Sequence, residues 1–291
     1  MPYRFPSGRE LVRSICNASD HSEELEKIGF GRGEFREFKM AMYHSAASSV
    51  DAFVEHRPEF MSIGKAAIAE QLIRSENREY LFCAGESQDW YRYLLDRLNA
   101  PFEDFGKNSL CIITFNYDRS LEEFLFTALV NRYGKSPGAV AEKLTALRIV
   151  HVYGHLGFLD WQVDGGGRPV RPYEPGRGEA IKTAAAGIKI MSEDVDDSPE
   201  LAKARELIMA AERVYFLGFG YHDHNMRRLK VPLAQGADGY DGNRIIRGTC
   251  LGFTEPERAV LQHSTYRGLS LGAASHTALD FLRHDEPFLK G

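Results

Sequence analysis

One stretch decides the fold: Leu110-Cys111-Ile112-Ile113-Thr114-Phe115-Asn116-Tyr117-Asp118-Arg119-Ser120-Leu121-Glu122-Glu123-Phe124-Leu125. Its first four residues are a short, unbroken apolar run, the pattern of a strand covered on both faces. The run stops at polar Thr114-x-Asn116-x-Asp118. Ser120 then opens a helix, and Glu123 three residues on predicts a capping box. Leu121, Phe124, Leu125 and Leu129 recur at helical spacing, and Gly134 ends the segment.

Downstream the same alternation continues. Ile149-Val150-His151-Val152 reads as a second strand, with His151 a satisfied core histidine. A Gly/Pro/Arg-rich loop covers about 162–178, and Ser198-Pro199 opens a helix. Val214-Tyr215-Phe216-Leu217 is a third strand, and a fourth is expected near Thr249-Cys250-Leu251. Thr254 and Glu257 predict a further capping box, ahead of a helix carrying Val260 and Leu261. The acidic stretch 193–200 reads as negative charge at a helix N-terminus. Strand and helix in this order predict an α/β fold with a doubly wound parallel sheet, Rossmann-like, with helices on both faces.

Upstream the period changes. From 35 to 99 the pattern is helical throughout. Its apolar stripes are Phe35, Phe38, Met42, Val50 and Phe53; Phe60, Ile63, Ala67, Ile68 and Leu72; and Trp90, Leu94, Leu95 and Leu98. We read 35–99 as an all-helical insertion, and 1–34 with 100–291 as the α/β domain. Gly29-Phe30-Gly31-Arg32-Gly33 follows no strand, so it lacks the context of a phosphate loop.

Composition narrows the function classes. Of 291 residues, 43% are apolar and 26% charged, as in ordinary globular proteins. The net charge of −5 argues against direct nucleic-acid binding, which needs a basic face. There is no run of about eighteen apolar residues to span a membrane and no secretory signal pattern. Cys16, Cys83, Cys111 and Cys250 form no C-x-x-C pair, so we expect neither a disulfide framework nor structural zinc. The expected compartment is the cytoplasm.

Ligands of such sheets bind at the carboxyl ends of strands. Three of these ends carry unusual residues: Thr114 to Asp118, His151-Val152-Tyr153-Gly154-His155, and Gly218-Phe219-Gly220-Tyr221-His222. Together they predict a pocket, with Asn116, Tyr153 and Gly218 on one rim.

On these residues the chain resembles the sirtuin-like (SIR-two-like) family. The carriers are Thr114-x-Asn116-x-Asp118 followed by Ser120-Leu121-Glu122, then Tyr153-Gly154 and Gly218-Phe219-Gly220, in family order over about 108–225. Pro6-Ser7-Gly8-Arg9-Glu10-Leu11 is similar to the segment after the family's first glycine-rich loop. The resemblance implies an NAD pocket and cleavage of the nicotinamide–ribose bond, as in the NAD-hydrolysing bacterial branch that often works in phage defence. It implies Asn116 and His155 as catalytic residues, with Thr114, Asp118, Tyr153, Gly154, Gly218, Phe219 and Gly220 binding the dinucleotide. In that role Asn116 orients the ribose and a water without adding charge, and Asp118 holds the nicotinamide carboxamide. A histidine accepts a proton, and glycines admit the cofactor to the backbone. A homo-oligomer or an ATPase partner is implied as well.

The chain also departs from the family. Tyr153 stands where the family has its histidine, and a phenol with a pKa of about 10 is a poor base. His155, one place beyond Gly154, is the replacement we expect. The family's Gly-Ala-Gly-x-Ser loop would fall ahead of Met1, so we expect weak NAD turnover from this chain as given. The paired C-x-x-C zinc module of the deacylases is missing. Two rival readings follow. One is a catalytically silent sirtuin-like module that binds a nucleotide or partner. The other is a metal-dependent hydrolase using His222-Asp223-His224-Asn225 with Asn116, Asp118 and His155. In that case His222 and His224 need a loop to converge. For Asn116 and Asp118 the plain alternative is an Asx-turn capping the following helix.

Overall fold

A computed structural model describes residues 2–19, 22–83, 85, 89–162, 169–190, 198–231, 244–265 and 268–285. The chain is mixed α/β with small parallel sheets, and it divides into two compact units: Met1–Ala84 with Ala100–Val195, and Gly85–Asn99 with Asp196–Gly291.

In the first unit, α1 (Gly8–Asn17) starts at Ser7, whose hydroxyl and Glu10 form a reciprocal capping box. Helices α2 (Glu23–Lys27), α3 (Arg32–Ser45), α4 (Val50–His56), α5 (Met61–Ile73) and α6 (Arg78–Phe82) follow. Gly31 caps α3 and the preceding element is helical, so the glycine cluster here is a helix junction. The expected stripes are buried: Phe38, Phe53 and Phe60 meet at ring distances of 5.8–5.9 Å. Helix α5 is buried nearly all round, which suits its content of alanine and isoleucine. α10 (Glu179–Gly187) packs along it.

β1 (Cys111–Thr114) pairs in parallel with β2 (Arg148–His151), Thr114 opposite His151. Between them run α8 (Ser120–Tyr133) and α9 (Pro137–Thr145). β1 is half-buried rather than covered on both faces, because each strand of this ladder has a single partner among the described residues. Helix α8 carries Leu121, Phe124, Leu125 and Leu129 inward and stops at Gly134, whose φ of 60° closes the C-terminus. The expected capping box is not formed. Ser120 is already helical, and its amide and hydroxyl bond to Asp118, while Glu123 pairs with Arg78 at 2.6 Å.

In the second unit, α7 (Trp90–Arg97) and α11 (Pro199–Ala210) accompany a parallel ladder of β3 (Arg213–Phe216), β4 (Ile245–Gly248) and β5 (Leu269–Leu271). Ser198 caps α11 as expected. α12 (Asp223–Leu229) follows β3; α13 (Glu255–Ala259) starts with the Thr254–Glu257 capping box, and α14 (Ala278–Asp280) follows β5. β4 ends before Thr249, earlier than the sequence suggests; Thr249 and Cys250 are the turn after it. Residues 191–197, with most of the acidic stretch, lie outside the described residues, as do 163–168 of the loop.

Candidate functional site

The carboxyl ends of β1 and β2 form one rim. Thr114 Oγ1 accepts the Asn116 amide at 3.1 Å, turning the chain out of the strand. Asn116 is exposed there. Tyr117 is buried and its hydroxyl donates to Asp51. Asp118 is half-buried, and its Oδ1 accepts both the amide and the hydroxyl of Ser120, so the Asx-turn is present. Burial raises the Asp118 carboxyl above its usual range against the pull of those bonds.

From β2 the chain passes through Val152 to Tyr153, buried with its ring edge on Phe115 at 5.3 Å. Gly154 has φ 73°, and a Cβ there would stand 2.0 Å from the Gly187 carbonyl oxygen. Only glycine fits that approach. The segment is then stitched to Gly187–Lys189 by His155 N–H to Gly187 O (3.1 Å) and Lys189 N–H to Tyr153 O (2.9 Å).

His155 is half-buried. Its Nδ1 lies 2.9 Å from Gly157 O and its ring edge meets Phe158 at 4.5 Å. A carbonyl can only accept, so Nδ1 carries the proton and Nε2 the lone pair. Burial, then the charge of His151, lowers its pKa to about 4. His155 is therefore neutral through the physiological range.

Beneath the rim sits a polar layer that local sequence pattern does not announce. His151 and Glu122 are buried together, Nε2 to Oε1 at 2.6 Å. Beside them Arg119 donates from Nε and Nη2 to the two oxygens of Glu76 at 2.9 and 2.8 Å, and Arg171 Nη2 donates to the same carboxylate. Arg119 also holds the carbonyls of Gly157, Arg171 and Pro172 at 2.8–3.1 Å. The loop carrying His155 is thereby fastened to the start of α8. A hint existed in Glu122 and Glu123, two acids among apolar neighbours on one helix.

Gly218, Phe219 and Gly220 belong to the second unit, at the carboxyl end of β3. Gly218 has φ 62° and donates its amide to Thr249 Oγ1 at 2.8 Å. Phe219 lies against Phe216 at 5.1 Å and Tyr221 at 5.5 Å. The hydroxyl of buried Tyr221 donates to Thr249 O at 3.0 Å, and a Cβ on Gly248 would meet that hydroxyl at 1.9 Å. Asn116, Tyr153 and Gly218 thus all follow parallel strands, the first two on one ladder and the third on another. His222 and His224 do converge, with rings 5.8 Å apart and nearly parallel, because His222 is an extended helix cap and not a helical residue. Among the described residues no group of three or more His, Cys, Asp or Glu is placed to hold a metal ion. No described helix is long and apolar enough to cross a membrane.

Comparison of the chain with family models, curated proteins and solved structures returns no match.

Proposed function

We propose that the chain is a sirtuin-like, Rossmann-type protein that binds NAD and hydrolyses its nicotinamide–ribose bond, without zinc. The observation that carries this reading is the rim of β1 and β2. There an exposed Asn116 stands at the end of one strand, and Tyr153-Gly154-His155 ends its parallel neighbour. The transition state of such a cleavage is oxocarbenium-like, so the groups facing it should orient without adding positive charge. Asn116 supplies an uncharged amide for the ribose and the attacking water. His155, held neutral with Nε2 as acceptor, takes a proton from a ribose hydroxyl or that water. Asp118 spends Oδ1 on Ser120, and its second oxygen is the acceptor assigned to the carboxamide by the sequence resemblance. Thr114 shapes the turn, and Gly154 packs on the Gly187 carbonyl, which holds the segment leading to His155. Gly218, Phe219 and Gly220 enter this reading through the sequence resemblance alone.

The test is direct. The full chain is incubated with NAD, and nicotinamide and ADP-ribose are quantified against Asn116→Ala. Loss of an orienting donor costs roughly 3 kcal/mol, about a hundredfold in rate. An unchanged rate in the variant excludes Asn116 from the chemistry.

A second reading, a silent module that binds a nucleotide, has its own support. Tyr153 is buried against Phe115, and His155 with a pKa of about 4 is a weak base. Calorimetric NAD binding with no nicotinamide released selects this second reading.

A further inference from the structure

We propose that His151 and Glu122 form a clamp beneath the rim that positions Asn116 by gripping its main-chain carbonyl. The bearing of this clamp on catalysis rests on the reading above; its geometry does not. The His151 ring lies between two acceptors, with Nδ1 2.9 Å from Asn116 O and Nε2 2.6 Å from Glu122 Oε1. A carbonyl oxygen has no proton to give, so Nδ1 must donate. The approach of Nε2 to a carboxyl oxygen also needs a proton between them. Two protons therefore lie along the line from Asn116 through His151 to Glu122, one on Nδ1 and one between Nε2 and Oε1. We place the second on Nε2, making an imidazolium that faces a carboxylate. Hydrogen bonds of this charge-assisted kind are about twice as strong as neutral ones.

The groups facing His151 are Glu122 from α8, Asp118 from the turn before it, and His155 from the segment after β2. Burial alone would lower the His151 pKa, but the charge and hydrogen bond of Glu122 outweigh it and raise the value. Burial likewise pushes the Glu122 carboxyl up, and the imidazolium overrides this and holds it below the usual range. One charge then disfavours a second on His155, whose ring centroid is 5.2 Å away. Two neighbouring histidines are thus split into a buried, charged one and a half-exposed, neutral one.

The consequence for Asn116 is specific. Its N–H is tied to Thr114 Oγ1 and its C=O to His151, so the exposed side chain springs from a Cα whose two flanking peptides are both held. His151 and Glu122 are positioning residues in this scheme.

Ring-nitrogen NMR on the full chain labelled with ¹⁵N-histidine tests it, with His151 identified by its absence in His151→Phe. At pH 7.5 the wild type is expected to show both His151 nitrogens protonated, and Glu122→Gln to leave one ring proton. A single ring proton in the wild type overturns the proposal, whatever the variants do. The double variant His151→Phe/Glu122→Met removes both partners together, which keeps the cost to the fold small. It should shift the Asn116 side-chain amide signal, and an unmoved signal also overturns the clamp. Where NAD is cleaved, the double variant should lose about as much rate as Asn116→Ala, roughly a hundredfold. Adding Asn116→Ala to it should cost little more; independent, multiplying losses overturn the positioning role. If the wild type neither binds nor cleaves NAD, the proposed activity falls, and the proton count and the amide signal still decide the clamp.

Discussion

The two units finish their leading strands with turns of similar look and opposite construction. At the end of β1 and β2 the turns rest on ionised groups: His151 with Glu122, and Glu76 between Arg119 and Arg171. At the end of β3 the turn rests on neutral ones: a glycine amide on a threonine hydroxyl, a tyrosine hydroxyl on a carbonyl, and the rings of Phe216, Phe219, Tyr221 and Phe253. Buried ions are costly to leave unpaired, whereas neutral hydrogen bonds give up little when removed. The first rim should therefore be expensive to damage and sensitive to pH, and the second should be neither. Each unit holds one of the two tryptophans, Trp161 in the first and Trp90 in the second, so fluorescence can follow them apart.

The largest effect is expected at Glu76. It is fully buried, and its carboxylate is the shared partner of two buried guanidinium groups. Glu76→Ala strands both charges away from water, and removing one member of a buried ion pair costs about 3–5 kcal/mol. Denaturant unfolding read by Trp161, in a Trp90→Phe background, should show a loss of that size. A loss under about 1 kcal/mol would mean that the arginines find other partners and that the ionic rim is no costlier than the neutral one.

Next in size is the response to acid. An unfolded histidine binds its proton near the ordinary value of 6.5, but folded His155 does so only at about 4. As pH falls below 6.5 the unfolded state gains a proton that the folded state refuses, so stability drops, by roughly 3 kcal/mol at pH 4. Glu122 acts in the same direction. Its lowered pKa gives stability that is present above the unfolded value of 4.5 and lost as pH falls through the folded one. His151 acts at the other end. Its raised pKa gives stability that is complete below 6.5 and lost as pH rises through the folded value. Asp51, Glu76 and Asp118 act against the acid loss, because burial raises each carboxyl and the stability this gives is present below the unfolded values and lost as pH rises through the folded ones. The share of His155 is isolated by unfolding curves across pH 4–9 for the wild type and His155→Phe, the difference growing as pH falls below 6.5.

These differences explain which parts were legible in the sequence. The path from β1 into α8 was readable because everything it needs is local: an apolar run, a helical stripe and Gly134. The capping box that the sequence suggests at Ser120 does not form, because Asp118, two residues ahead, takes the Ser120 amide and hydroxyl. The pattern points too late for β4 because Arg244-Ile245-Ile246-Arg247 mixes charge into the strand, while Thr249-Cys250-Leu251 beyond it is uncharged. β5 spans three residues, too few to show a period. The rim residues Asn116, Gly154 and His155 stood out because they break apolar runs. Their supports did not, since Glu76, Arg119 and Arg171 come from distant parts of the chain and meet only through tertiary packing. His151 reads as a satisfied core residue, which is true of its burial, but its carboxylate partner Glu122 lies 29 residues away.

The smallest effect is expected at Thr249, the counterpart of Glu76 on the neutral rim. Its hydroxyl accepts the Gly218 amide at 2.8 Å and faces Phe216 O at 3.4 Å, while its main-chain carbonyl receives the Tyr221 hydroxyl. Thr249→Val keeps the shape and the carbonyl and deletes only the hydroxyl. Gly218 is exposed, so water can take over its amide. The loss should then be about 1 kcal/mol, the net value of one ordinary hydrogen bond. The bonds of this turn involve a main-chain amide and hydroxyls, which neither gain nor lose protons between pH 5 and 7. The cost should therefore be equal at both pH values when unfolding is followed through Trp90 in a Trp161→Phe background. A loss rivalling that of Glu76→Ala, or one that changes between the two pH values, would erase the contrast between the rims. It would require ionised support beneath the second turn as well as the first.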